Sequence, residues 1–200
     1  MTIVSEDTLM LLERAVLQTG RIVSGVESGQ TSLPTPCGNW DVGRLLQHVV
    51  GQDLHNFTVA ARGETPDWAE PPQALGNAWS VDYQERAQRL LSTWREADRD
   101  AEVAGPGGRL APLIDRADQQ ITELSVHAWD LARATGQGSH LDPEVAAYAL
   151  AWGQRMLQPA FRGADKAFGP EVSVPDGAPV QDRLAGWFGR DPAWQPPAAR

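Results

Sequence analysis

The feature that most limits the fold of this chain is the period of its apolar residues. In four long stretches they recur every three to four positions, the repeat of an α-helix with one buried side. Leu9, Leu12, Val16, Val23 and Val26 mark the first helix, predicted over 6–26. Leu45, Leu46, Val49, Val50 and Phe57 mark the second, over 41–62. Tyr83, Ala87, Leu90, Leu91 and Trp94 mark the third, over 80–101, and Ala117, Ile121, Leu124, Ala128 and Leu131 the fourth, over 110–135. Ser5 and Asp41 are suited to cap the first two, because a short polar side chain accepts from the free N–H groups of a first turn. Pro112 is tolerated in the first turn of the fourth, and Gly63 and Gly136 stop the second and fourth. A fifth helix starts at Asp142-Pro143 and runs to about 157, and a short one spans 179–188 and is closed by Gly189. Residues 64–76 hold three prolines and read as a surface loop; Val172–Val174 is at most a short extended piece. Such a pattern predicts one all-α domain over 1–200. Its four-helix bundle core lies at about 5–136 and its extension of additional short C-terminal helices at about 142–192.

Charge and cysteine content exclude several functions. Lysine and arginine total 17 against 26 aspartates and glutamates, a net charge of -9. Nucleic acid is excluded as a partner, since no basic block is present to meet the phosphates. The one lysine, Lys166, lacks the glycine spacing of a phosphate loop. A single cysteine, Cys37, permits no intrachain disulfide and no Cys-pair zinc site. The start of the chain carries no positive leader segment, and no apolar run is long enough to span a membrane. These observations predict a cytoplasmic protein. Eight tryptophans exceed what one small core needs, which suggests a homodimer with some of them at the interface.

Only four histidines are available for chemistry. His127 follows Glu123 by four residues, so the two stack on one helix face, among Ile121, Leu124 and Ala128. His48 lies on the second helix among buried positions. Together His48, Glu123 and His127 form a two-histidine, one-carboxylate set that would leave positions on a divalent metal open for water or substrate. The alternative is a hydrogen-bonded core histidine, with Glu123 paired to Arg116 or Arg133. Asp130, three residues beyond His127, either orients that imidazole, as ligating histidines usually need, or pairs with Arg133 or Arg44. Gln52 and His55, one and two turns beyond His48, are candidates to line a pocket mouth. His140 falls in a loop and reads as solvated, Trp129 as packing. Cys37 reads as a small buried residue of the turn before the second helix, with a nucleophile as the lesser reading.

Three stretches carry a family resemblance. They are Pro34-Thr35-Pro36-Cys37-Gly38-Asn39-Trp40-Asp41-Val42 running into Leu45-Leu46-Gln47-His48, then Glu123-Leu124-Ser125-Val126-His127-Ala128-Trp129-Asp130 through Gly136, and Asp182-Arg183-Leu184-Ala185-Gly186-Trp187-Phe188-Gly189-Arg190-Asp191-Pro192. Together they resemble the actinobacterial DinB-like metal-binding family related to the N-terminal domain of mycothiol-dependent maleylpyruvate isomerase. The resemblance implies a DinB-like four-helix bundle. It also implies a divalent metal, most often Zn²⁺ with Ni²⁺ or Fe²⁺ as alternatives, on His48, Glu123 and His127. The implied activity is a metal-dependent thiol S-transferase that moves a mycothiol-type cosubstrate onto or off a small electrophile. Alternatives on the same site are a metal-dependent hydrolase or biosynthetic tailoring enzyme, and a non-catalytic metal- or ligand-binding stress or regulatory protein. The chain is too short to hold the second domain of the full isomerase, which argues against maleylpyruvate itself as substrate.

Overall fold

A computed structural model of the chain describes residues 3–38, 40–75, 78–98, 100–104, 108–138, 141–163 and 168–196, with side chains from residue 8 onward. It is an all-α fold. Helix α1 spans Ile3–Ser24, so it begins before the predicted cap, with Ser5 inside it. Helix α2 covers 42–61 in three continuous stretches, Val42–Leu46, a π-helical segment Gln47–Asp53, and Leu54–Ala61. Asp41 caps it as predicted, its side chain accepting from Arg44 N. Helix α3 is Trp79–Glu96 and α4 is Ile114–Thr135, ended by Gly136 with φ 69°. Helices α5 (Pro143–Met156) and α6 (Val180–Trp187) follow, and Asp142 caps α5 through Glu144 N and Val145 N.

Every apolar position predicted for α2 and α4 is buried, and so are Leu12, Val16, Val23, Tyr83, Ala87, Leu90 and Trp94. Each large one contributes about 1.5–3 kcal/mol when fully removed from water. Helix α4 is central: it packs on α1, α2, α5 and α6. The C-terminal helices join the same core through Val145, Ala149, Leu184 and Phe188. Trp94 and Trp129 are buried in that core, while Trp40, Trp68, Trp79, Trp187 and Trp194 pack against it, so most of the tryptophan surplus is used within the chain.

Two predicted helix boundaries fail locally. Residues 110–112 do not open the fourth helix. Leu110–Pro112 forms a strand, β2, paired antiparallel with β1, Glu102–Ala104. Helical spacing extended backwards past Pro112 concealed this hairpin, which buries Val103 under the bundle. The third helix likewise stops at Glu96, short of the predicted 101, where Ala97 turns extended. No helix among the described residues is long and apolar enough to cross a membrane.

Candidate metal centre

His48 on α2 and Glu123 and His127 on α4 meet at the wall of a cavity of about 720 Å³. One ligand atom from each lies within 4.8 Å of the others. His127 Nε2 is 3.4 Å from Glu123 Oε2, the contact that i, i+4 spacing on a helix provides. The two imidazoles stand edge to face, 5.0 Å between centroids.

Each ring is held from behind. His127 Nδ1 lies 3.1 Å from Asp130 Oδ2, and His48 Nδ1 lies 3.0 Å from Gln52 Oε1. The Gln52 amide is itself fixed, since its Nε2 donates to the Glu70 carbonyl at 2.9 Å. With the nitrogen turned to a carbonyl, the oxygen faces His48, so Nδ1 of that ring is the donor. Both rings thus spend Nδ1 on a protein acceptor and keep Nε2 for the site, the arrangement that ligating histidines use.

Behind Asp130 stands a group that the helical spacings did not reveal. Arg190, just past α6, is buried and bonds both Asp130 oxygens, at 3.3 and 3.0 Å. Two further hydrogens go to the Phe188 carbonyl and to Cys37 Sγ, 2.8 and 3.1 Å away. Gly189, with φ 83°, makes the turn that sends this arginine inward. Asp130 therefore orients His127 and also forms an ion pair, but with Arg190 and not with Arg133 or Arg44. Arg133 bonds Asp182, which also accepts from Trp129 Nε1. Arg116 bonds Gln119. Among the described residues, neither Arg116 nor Arg133 forms an ion pair with Glu123.

The charges follow. Burial opposes the imidazolium of His127, but Asp130 and Glu123 outweigh it and lift its pKa to about 9. Burial and then the neighbouring His127 push His48 down to about 4. For Asp130 burial favours the neutral acid, yet Arg190 and then His127 hold it below the usual carboxylate range. Burial pushes the Cys37 thiol up to about 11, only partly offset by Arg190. Cys37, His127 and Asp130 also cluster within 4.8 Å. The guanidinium already bonds both the sulfur and Asp130, so that second cluster is filled by the protein's own cation.

The other predicted site residues separate. Gln52 lies beside His48 and lines a second cavity of about 810 Å³, which shares Trp40, Arg44 and His48 with the first. His55 is not at this mouth. It faces a separate cavity with Arg62, Asp82 and Arg89, because the π turn rotates everything after Asp53 relative to a regular helix. His140 lies outside the described residues. Trp40 was not predicted as a site residue. Its ring meets His48 edge-on at 4.9 Å and stacks on His127 at 6.3 Å.

Residues 12–132 match the family described as the mycothiol maleylpyruvate isomerase N-terminal domain. Two uncharacterized proteins from two strains of Mycobacterium tuberculosis are each 34% identical to this chain over 195 residues, which covers 92% of this chain and 98% of theirs. Crystal structures of a mycothiol-dependent maleylpyruvate isomerase and of its histidine-to-alanine variant superpose with TM-scores of 0.55 and 0.60. They are 22% and 24% identical to this chain, and each covers 74% of it and 68% of the other. At that identity they establish the shared bundle. With more than half of its length matched, the chain belongs to the mycothiol maleylpyruvate isomerase N-terminal domain family.

Proposed function

We propose that this protein is a divalent-metal-dependent enzyme that transfers a mycothiol-type thiol to or from a small electrophile. One observation carries the reading: two imidazoles and a carboxylate converge at a cavity wall, and both imidazoles are anchored through Nδ1. The donor set fits Zn²⁺, with Fe²⁺ or Ni²⁺ also suited to imidazole and carboxylate. When bound, such an ion lowers the pKa of a coordinated thiol, and the thiolate is the nucleophile.

The chain's own residues prepare that chemistry. Asp130 and Arg190 fix the ring of His127, and Gln52 fixes that of His48. Trp40 walls the site. Pro36, Val126, Phe168 and Phe188 give the cavity an apolar side able to take the carbon frame of an electrophile. Cys37 is kept a neutral thiol by burial and is no rival nucleophile. Membership in a family described by a mycothiol-linked isomerase supports the thiol.

Metal analysis of the purified protein tests the site. About one equivalent per chain is expected, with loss in His127→Ala; unchanged metal in that variant overturns the ligand assignment. A conjugation assay with mycothiol and a panel of electrophiles tests the chemistry. Turnover that requires both metal and thiol is expected. A metal-loaded protein without thiol turnover moves the assignment to hydrolysis or to ligand binding alone.

A further inference from the structure

His48 stands on the wall between two cavities. Glu123 and His127 line only the first, of about 720 Å³, while Trp40, Arg44 and His48 border both that one and the second, of about 810 Å³. Each has the size of a small-molecule site, about 300–1,000 Å³. A reaction between two small molecules at one centre needs two spaces that open on the same ligand. The apolar side of the first suits an electrophile, and the lining of the second decides what it takes.

That lining differs in kind. Phe168 and Phe188 belong to the first cavity, whereas Ser32, Asp41, Gln47 and Glu70 belong only to the second. A hydroxyl and an amide both donate and accept, and two carboxylates accept, so together they can bond a molecule covered in hydroxyl groups. Against the phenyl rings the same molecule would lose its water partners without replacement, which is costly. Among the described residues neither Asp41 nor Glu70 takes part in an ion pair. Two carboxylates are set against one guanidinium, that of Arg44, which lies over the Trp40 ring at 5.1 Å. A wall with this balance disfavours an anion and accepts a neutral ligand.

The wall is also held in place. Gln52 Nε2 donates to the Glu70 carbonyl at 2.9 Å, and Gln73 N donates to the Gly51 carbonyl at 3.2 Å. Residues 70–73 are thus clamped to the π segment at both ends, and Pro71 and Pro72 between them have a fixed φ. On the opposite side Gly43 N donates to the Thr31 carbonyl at 2.7 Å, which ties Thr31 and Ser32 to the first turn of α2. A wall built this way loses little freedom when a ligand settles on it.

We propose that this second cavity is the subsite for the body of the thiol cosubstrate, and that Gln47 and Glu70 select a neutral, polyhydroxylated thiol over an anionic one. Mycothiol, whose cysteine is carried on an amino sugar and an inositol, is of the first class; glutathione is of the second. The proposal rests on the thiol-transfer reading above, and adds where the thiol lies and what selects it.

S-methylmycothiol and S-methylglutathione separate this subsite from the metal, because their blocked sulfurs form no thiolate. Calorimetry measures their binding to wild type, Gln47→Ala, Glu70→Ala, Glu70→Gln and Phe168→Ala, each Zn²⁺-loaded and chelator-stripped, with the fold of every variant checked by circular dichroism. S-methylmycothiol should bind wild type with comparable affinity in both states. It should weaken about 3–10-fold in Gln47→Ala and in Glu70→Ala, as for one hydrogen bond lost, and bind Phe168→Ala unchanged. S-methylglutathione should bind wild type at least about tenfold more weakly, and Glu70→Gln should narrow that gap. Loss in Phe168→Ala with none in the Gln47 and Glu70 variants puts the thiol in the apolar cavity and overturns the assignment. Equal wild-type affinity for the two thioethers overturns the selection. Metal-dependent turnover of mycothiol without binding of S-methylmycothiol overturns the subsite and leaves the transferase standing. Binding as expected without turnover overturns the transferase and leaves the subsite standing.

Discussion

Arg190 is the residue on which the site's order depends most. It meets four acceptors from three parts of the chain: Asp130 twice, the Phe188 carbonyl and Cys37 Sγ. Removing one partner of a buried ion pair leaves the other charged and unmatched, which costs about 3–5 kcal/mol. Arg190→Ala should therefore lower the unfolding free energy by about that amount, read by urea titration, and should weaken metal binding because Asp130 no longer holds His127. Lysine should not rescue it, since a single ammonium does not span both carboxylate oxygens and the sulfur. The same environment sets the behaviour of Cys37. With its thiol pushed up to about 11, it should alkylate slowly with iodoacetamide at pH 7. The rate should climb as pH approaches 11, and mass spectrometry of the single cysteine measures it. Fast alkylation at neutral pH would show a thiolate and return Cys37 to the list of nucleophiles. At this scale the sequence disclosed what is local. His127 with Glu123 and Asp130, and His48 with Gln52, lie three or four residues apart on helices, where spacing alone implies contact. Arg190 stands 60 residues from Asp130. Its position in the Gly189-Arg190-Asp191-Pro192 stretch that carried the resemblance was the one available signal.

The π turn is the element that sequence periodicity reads wrongly. Leu45, Leu46, Val49, Val50 and Phe57 fit a regular helix well enough that no interruption is visible. A regular helix puts His55 near the face of His48 and turns Asp53 away; the π turn does the reverse. The loop at 64–76 was opaque for a related reason. It carries no periodic signal, yet it closes on the π turn: Gln73 N donates to the Gly51 carbonyl, Gln52 holds the Glu70 carbonyl, and Trp68 meets Phe57 edge to face. Gly51 allows this approach. A Cβ there would lie 2.5 Å from the Gln73 carbonyl oxygen, a backbone atom that does not yield cheaply. Gly51→Ala should destabilise the fold by about 1–3 kcal/mol, the usual range for overpacking. By displacing the loop it should also loosen the Gln52 anchor of His48 and lower Zn²⁺ affinity. Chemical denaturation and chelator competition on the same sample check both effects. A variant with wild-type stability and affinity would mean that the loop is not part of the support of His48.

For the molecule as a whole, the net charge of -9 opposes local ion pairs in their response to acid. Lowering the pH protonates carboxylates and relieves the general repulsion of an acidic chain. It also removes the carboxylates that tie elements together. Asp142 is the clearest of these. It caps α5 and takes two hydrogen bonds from Arg14 on α1, so it joins the N-terminal helix to the C-terminal extension. Burial alone would raise its pKa, but Arg14 and the two cap N–H groups outweigh that and depress it. A carboxylate with a depressed folded-state pKa contributes its full stabilisation above its unfolded value of about 3.9, and loses it as pH falls through the folded value. The contribution of Asp142 should thus be constant from pH 7 to about 5 and fade progressively below about pH 4, as pH falls toward the depressed folded value. Because wild type and Asp142→Ala share nearly the same overall repulsion, their difference isolates the local term. Urea titrations at a series of pH values should show Asp142→Ala less stable by about 1–2 kcal/mol at pH 7, as expected for a lost N-cap beside a partly exposed ion pair. The gap should close as the wild-type carboxylate protonates. A gap that persists undiminished at pH 3 would place the contribution of Asp142 in its packing and not in its charge.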